Sequence, residues 1–159
     1  MSSPRTIHVE TELDAPAERV WQAMQNTTSF LYVCRGLLGI PALAGRIDPI
    51  RAGETDTGRL YLFHVVPAWR HTIHVAALDS ESRAVHTREH GGILRQWNHT
   101  LAAQPLGAGR ARYSDTVELD AGRFTPLAAA IATSFYRYRQ RRWRRLARKH
   151  LATPACYGQ

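Results

Sequence analysis

Between residues 59 and 120 the chain passes through one strand-like segment after another with only short turns between them. From about Pro126 to His150 it then carries a single long helical pattern. The segments "RLYLFHVV", "HTIHVAAL", "AVHTREH" with "LRQWNHTLAA", and "ARYSDTVELD" are rich in β-branched and aromatic residues. The pieces "PAW", "DSESR", "HGG" and "QPLGAG" between them read as turns. Separators this short join antiparallel neighbours, because parallel neighbours need a long crossover. Such a sheet has an apolar face to cover. Only the terminal helix, roughly 37 Å long at the usual rise per residue, is large enough to do so. The expected class is therefore α+β, an antiparallel sheet with a helix laid across it.

The N-terminal part fits the same scheme. "TIHVETEL" alternates, with Ile7, Val9, Thr11 and Leu13 on one face and His8, Glu10 and Glu12 on the other, as in a half-buried strand. "DAPAERVWQAMQ" switches to helical spacing, with Val20, Trp21 and Met24 on one side. Asp14 is placed to accept from its first amides, and Pro16 sits in the first turn. A second short helix is expected in "TSFLYVCRGL", begun by a hydroxyl residue. "GIPALAGRIDPIRAGETDTG", with Pro41, Gly45, Pro49 and Gly53, reads as loop with room for one short strand.

This order of elements, with "LDAPAERVWQAM" directly after the first strand, resembles the helix-grip superfamily. That group includes START lipid-transfer domains, birch-pollen-type allergens and polyketide cyclase/dehydrase-like proteins, and is often called SRPBCC. The resemblance spans essentially the whole chain, and its most specific piece is Ala15 to Trp21. It implies a curved antiparallel sheet wrapped around the long C-terminal helix, with two short helices after the first strand. It also implies a cavity for a hydrophobic or aromatic, lipid- or polyketide-like molecule, with cyclase- or dehydratase-type activity within the family's range. Residues 1–159 are then one ligand-binding domain, with a core of about 5–151 and a flexible tail at 152–159. Tyr32, on the second helix, would lie near the cavity entrance.

The formal net charge of +8 comes from the terminal helix. Eight of the 21 basic residues lie between Arg137 and Lys149, and the rest of the chain is balanced against its 13 acidic residues. Set out at 100° per residue, Leu127, Ile131, Phe135, Tyr138, Trp143 and Leu146 share one half of the helix. Arg137, Arg141, Arg144 and Arg148 centre the other half. A solvated arginine face on a packing helix is favoured over a nucleic-acid surface, since the aromatics point towards the sheet and not along the basic stripe. Two arginines break the pattern: Arg142 lies in the middle of the apolar half and Arg139 well inside it. Each must reach an edge or meet an acidic partner. If Arg142 reaches the interior, it would offset a carboxylate or hold an anionic ligand group.

The hairpin "LRQWNHTLAAQPLGAGRARYSDTVELD", centred near Gly107, pairs Leu101 with Tyr113, His99 with Asp115 and Trp97 with Val117, all on one face. That face carries the bulkier apolar groups and should look inward; Gln96, Asn98, Arg112, Ser114 and Glu118 look out. An inward His99 beside Asp115 allows two readings. One is a self-satisfied pair within the core. The other is the polar floor of a pocket, where Asp115 orients an imidazole that hydrogen-bonds or relays a proton to a carbonyl or phenol. Trp69, after Pro67 in a turn, is either a lid at a cavity mouth or an exposed turn residue. With Phe135 and Tyr138 on the helix, the candidate ligand-binding residues are Tyr32, Trp69, Trp97, His99, Tyr113, Asp115, Phe135, Tyr138 and Arg142.

Other chemistry finds little support. His86 and His90 share a strand face about 13 Å apart, too far for one ion. "LGAG" lacks the lysine and following helix of a phosphate loop, so neither metal nor cofactor is expected. Two cysteines, Cys34 and Cys156, do not make a disulfide framework, and no apolar run reaches the length of a signal peptide or membrane span. A cytoplasmic location and a hydrophobic small-molecule partner are the expectation, with the oligomeric state, a dimer included, left open. Two alternatives stand: an enzyme using His99 and Asp115 as acid and base, or a module whose basic helix meets RNA, the ribosome or an acidic partner.

Overall fold

A computed structural model describes residues 3–107 and 109–152; most of the expected tail, from residue 153 on, lies outside the described residues. The strands are β1 (Arg5–Leu13), β2 (Leu38–Gly39), β3 (Thr55–Leu62), β4 (Val66–Asp79), β5 (Ala84–Gly91), β6 (Leu94–Gly107) and β7 (Arg110–Asp120). The helices are α1 (Ala17–Met24), α2 (Thr27–Cys34) and α3 (Thr125–Leu146), the last running on into a wider turn at Ala147–Leu151. Every strand pairs antiparallel with its neighbours, in the order β1-β7-β6-β5-β4-β3-β2. The register slips within the β3–β4, β4–β5, β5–β6 and β6–β7 pairs. Each such irregularity bends its strand and sharpens the local twist, so the sheet curls into a half-barrel with α3 held in its concavity.

Three sequence expectations are corrected here. The turn after β3 is not at Pro67 but at Phe63 and His64, both left-handed (φ 52° and 65°). A hairpin turn of this kind is normally announced by glycine or asparagine, and neither is present. Trp69 therefore lies inside β4, not in a turn. The β6–β7 register is shifted by two residues, with Leu101 opposite Asp115, His99 opposite Val117 and Ala103 opposite Tyr113. An even shift keeps side-chain parity, so the inward face is unchanged. Finally, Pro16 and not Asp14 holds the N-cap position of α1 and gives it no side-chain cap, whereas α2 is capped by Asn26, whose side chain accepts from the Thr28 amide.

The helix α3 runs along β1 and meets β7 and α2. Its inner face changes in size along its length. In the C-terminal half Trp143 and Leu146 are buried with Leu13, Val20, Trp21 and Tyr113, forming a dense core. In the N-terminal half the buried apolar positions are Ala129 and Ala132, against Val9, Val117 and Leu119. Small side chains there leave the concave face of β3–β6 uncovered. The outer arginines 137, 141, 144 and 148 are exposed.

Candidate ligand cavity and its buried polar floor

Between β3–β6 and the N-terminal half of α3 lies a cavity of about 280 Å³. Its walls are mainly apolar, with Leu60, Ile73, Leu94 and Trp97 from the sheet, Phe30 from α2, and Ala128, Ala132 and Phe135 from α3. A smaller void of about 80 Å³ continues past Phe30 and Arg139 to Met24 of α1. The mouth is rimmed by Ile93, Phe124, Leu127 and Ile131, all exposed. The sequence placed Leu127 and Ile131 on the packing half of α3. They are instead 59% and 61% exposed, because that apolar arc is wider than the surface the sheet covers.

The polar floor is built on neighbouring inward positions of β5, β6 and β7. Asp115, 0% exposed, accepts three hydrogen bonds: from His99 Nε2 at 2.9 Å, the Tyr113 hydroxyl at 2.9 Å and Gln140 Nε2 at 3.3 Å. Burial alone would raise its carboxyl. The His99 hydrogen bond, the Arg139 charge and the Tyr113 hydrogen bond outweigh burial and hold it below the ordinary value. The His99 ring packs on Tyr136 at 4.8 Å, and the Tyr136 hydroxyl accepts from Trp97 Nε1 at 3.1 Å. A parallel pair sits higher in the wall, where Glu89 accepts from His71 Nε2 at 2.9 Å and from the Thr87 hydroxyl at 2.6 Å. Burial opposes the Glu89 charge too, and the His71 hydrogen bond lowers its carboxyl below the usual value. Trp69 Nε1 points at His71 Nδ1, 3.4 Å away. Burial pushes the Cys34 thiol up to about 11, so the sulfur in the wall is an apolar S–H group and not a thiolate nucleophile.

Arg139 is the unexpected member. It neither reaches an edge nor meets a carboxylate: it is 2% exposed and lines both voids. Among the described residues it has no salt bridge and no hydrogen-bond acceptor, and its Nε is enclosed with nothing to donate to. The rings of Tyr136, Phe30 and Phe135 surround the guanidinium at 5.1, 5.5 and 5.8 Å. Such contacts contribute on the order of 2 kcal/mol each when desolvated. They replace the lost hydration only in part, since N–H donors without acceptors still carry a penalty of several kcal/mol.

Of the residues singled out in the sequence, Trp69, Trp97, His99 and Phe135 line the cavity. Tyr113 and Asp115 stand behind His99 and hold it. Tyr32, Tyr138 and Arg142 fall outside the lining. The Arg142 guanidinium lies over the Tyr32 ring at 4.5 Å and donates to the Tyr32 carbonyl, while the Tyr138 hydroxyl donates to the Arg35 carbonyl. They tie α2 to α3, and the interior arginine is Arg139, one helical turn earlier. His71 and Glu89 were not among the candidate ligand-binding residues. The alternation Val85–Thr87–Glu89 was the available signal, since it puts the carboxylate on the same strand face as the buried valine.

The β5–β6 turn packs on Trp69. Gly92 is left-handed (φ +58°), and a Cβ there would fall 2.8 Å from Trp69 Cγ. Gly92→Ala is expected to cost at least about 1 kcal/mol from backbone strain alone. It should also displace the indole from the cavity wall. Urea denaturation and near-ultraviolet circular dichroism check the two effects; unchanged stability with an unchanged aromatic spectrum would contradict them.

Solved structures place this architecture. The Zhui aromatase/cyclase from Streptomyces sp. R1128 superposes with TM-score 0.70 and 16% identity, covering 96% of this chain and 99% of that one. Norcoclaurine synthase from Thalictrum flavum, in complex with dopamine and hydroxybenzaldehyde, gives 0.67 and 15%, covering 95% and 90%. A START superfamily protein from Mycobacterium smegmatis gives 0.67 and 12%, covering 91% and 97%. The chain thus has the START-like helix-grip fold. Residues 11–149 match the family described as domain of unknown function DUF8410, and the protein belongs to that family. No curated protein matches the sequence. No helix among the described residues is long and apolar enough to cross a membrane.

Proposed function

We propose that the protein binds a hydrophobic, aromatic small molecule in the cavity between β3–β6 and α3. The observation that carries this reading is an apolar hollow of about 280 Å³ whose base holds a few buried, oriented polar groups. Small-molecule sites combine an apolar wall with a small number of placed polar groups in this way, typically over about 300–1,000 Å³. Space of this size suits a molecule of one to three aromatic rings. Two proteins of the same fold support the reading, one an aromatase/cyclase and one solved with dopamine and hydroxybenzaldehyde. His99, locked by Asp115, would present its Nδ1 edge to the ligand. That geometry serves orientation in a carrier and proton transfer in a cyclase- or dehydratase-type enzyme.

Titration with N-phenyl-1-naphthylamine, a neutral apolar fluorophore, tests the site. A saturable, blue-shifted signal at one probe per chain is expected. Ala128→Trp, which fills the cavity from α3, should weaken binding about tenfold or more while leaving the fold intact. Absence of saturable binding, or equal binding by the filled variant, would refute the assignment.

A further inference from the structure

Resting on the proposed ligand-binding reading, the unpartnered guanidinium of Arg139 goes on to define what kind of molecule enters. We infer that the ligand is an acid: an aromatic body carrying a carboxylate, or an equivalent oxyanion, that docks on Arg139 at the base of the cavity.

The cavity's two carboxylates are already matched to donors, and among the described residues the other enclosed donor without an acceptor, Trp143 Nε1, lies in the dense core outside both voids. Asp115 is served by His99, Tyr113 and Gln140, and Glu89 by His71 and Thr87. Both carboxylates are thus occupied, and neither comes within salt-bridge distance of Arg139. Among the described residues, what the cavity lacks is an acceptor for the arginine's fork of N–H donors. A buried Nε without a partner marks the place, and the guanidinium lines both voids. Its ring neighbours stack on the cation without accepting a hydrogen bond in its plane. A planar carboxylate matches that fork with two parallel hydrogen bonds. The position also fits the apolar body: a group held at Arg139 directs its ring past Phe135 and Trp97 towards the Ile93–Ile131 mouth.

The test compares 2-naphthoate with 2-naphthamide, equal in shape and different in charge, followed directly by quenching of tryptophan fluorescence. The acid is expected to bind at least about tenfold tighter than the amide. In Arg139→Met the ratio should fall to within about threefold. Should that variant prove unfolded by circular dichroism, Arg139→Lys replaces it, and loss of at least about two-thirds of the preference is expected because the bidentate fork is gone. Equal affinities for acid and amide, with both binding, would overturn the acid assignment and leave the cavity reading standing. A preference that survives replacement of Arg139 would place the anion elsewhere and overturn it as well. If neither compound nor the neutral fluorophore binds, both readings fall together.

Discussion

Asp115→Ala is expected to lower the unfolding free energy by about 3–5 kcal/mol, the range for removing a buried ionic group and leaving a buried charge, here Arg139, uncompensated. The carboxylate is wholly buried and accepts from His99, Tyr113 and Gln140. Its loss leaves a buried hydroxyl, amide and imidazole without an acceptor, and removes a negative charge that favours ionised Arg139. Urea denaturation measures the loss; a change below about 1 kcal/mol would mean that water or a rearranged side chain replaces the carboxylate. The variant should also alter acid sensitivity. Because the folded carboxyl titrates below its ordinary 3.8, ionised Asp115 stabilises the fold fully above about pH 5. That contribution is lost as pH falls through 3.8 to the depressed folded value. Glu89 acts with the same sign. The wild-type protein should therefore lose stability steeply below pH 4, and Asp115→Ala should flatten that fall without abolishing it.

Trp143→Ala is expected to cost about 3–5 kcal/mol, and it tests the grip of helix on sheet. The indole is 1% exposed, packs on Tyr113 at 5.0 Å and sits in the core with Leu13, Val20 and Leu146. Its Nε1 has no hydrogen-bond partner among the described residues, so Trp143→Phe loses volume alone and should cost less than half as much. Leu127→Ala and Ile131→Ala, at the exposed mouth of the same helix, should change stability by under about 1 kcal/mol, since little of their surface is buried. Thermal and chemical denaturation of the four variants reads this gradient directly. Similar losses at Leu127 and Trp143 would mean that α3 seats along its whole length, leaving no room for a ligand.

The architecture was largely written in local patterns. Alternation in "TIHVETEL", the Ala-Pro-Ala-Glu-x-Val-Trp segment and the succession of short turns specify a strand, helices and an antiparallel sheet in the right order. The inward face of His99, Tyr113 and Asp115 was legible because parity survives a two-residue error in register. Less was legible where geometry depends on exceptions. Phe63 and His64 adopt a left-handed turn that their residue types do not advertise. A helical wheel gives the direction of Arg139 and Arg142 but not which of them meets the cavity. That depends on where α2 crosses α3, and α2 takes Arg142 for its own carbonyl and Tyr32 ring. Partner rules failed in the same way at Arg139, which ought to have found an acid within the chain and instead faces a void.

The most direct measurement is a crystal structure of the protein grown with 2-naphthoate. One molecule is expected inside, its ring between Trp97 and Phe135 and its carboxylate within hydrogen-bonding distance of Arg139. Density only on the exposed Arg137, Arg141, Arg144 and Arg148 face, with the hollow closed by shifted side chains, would contradict the account.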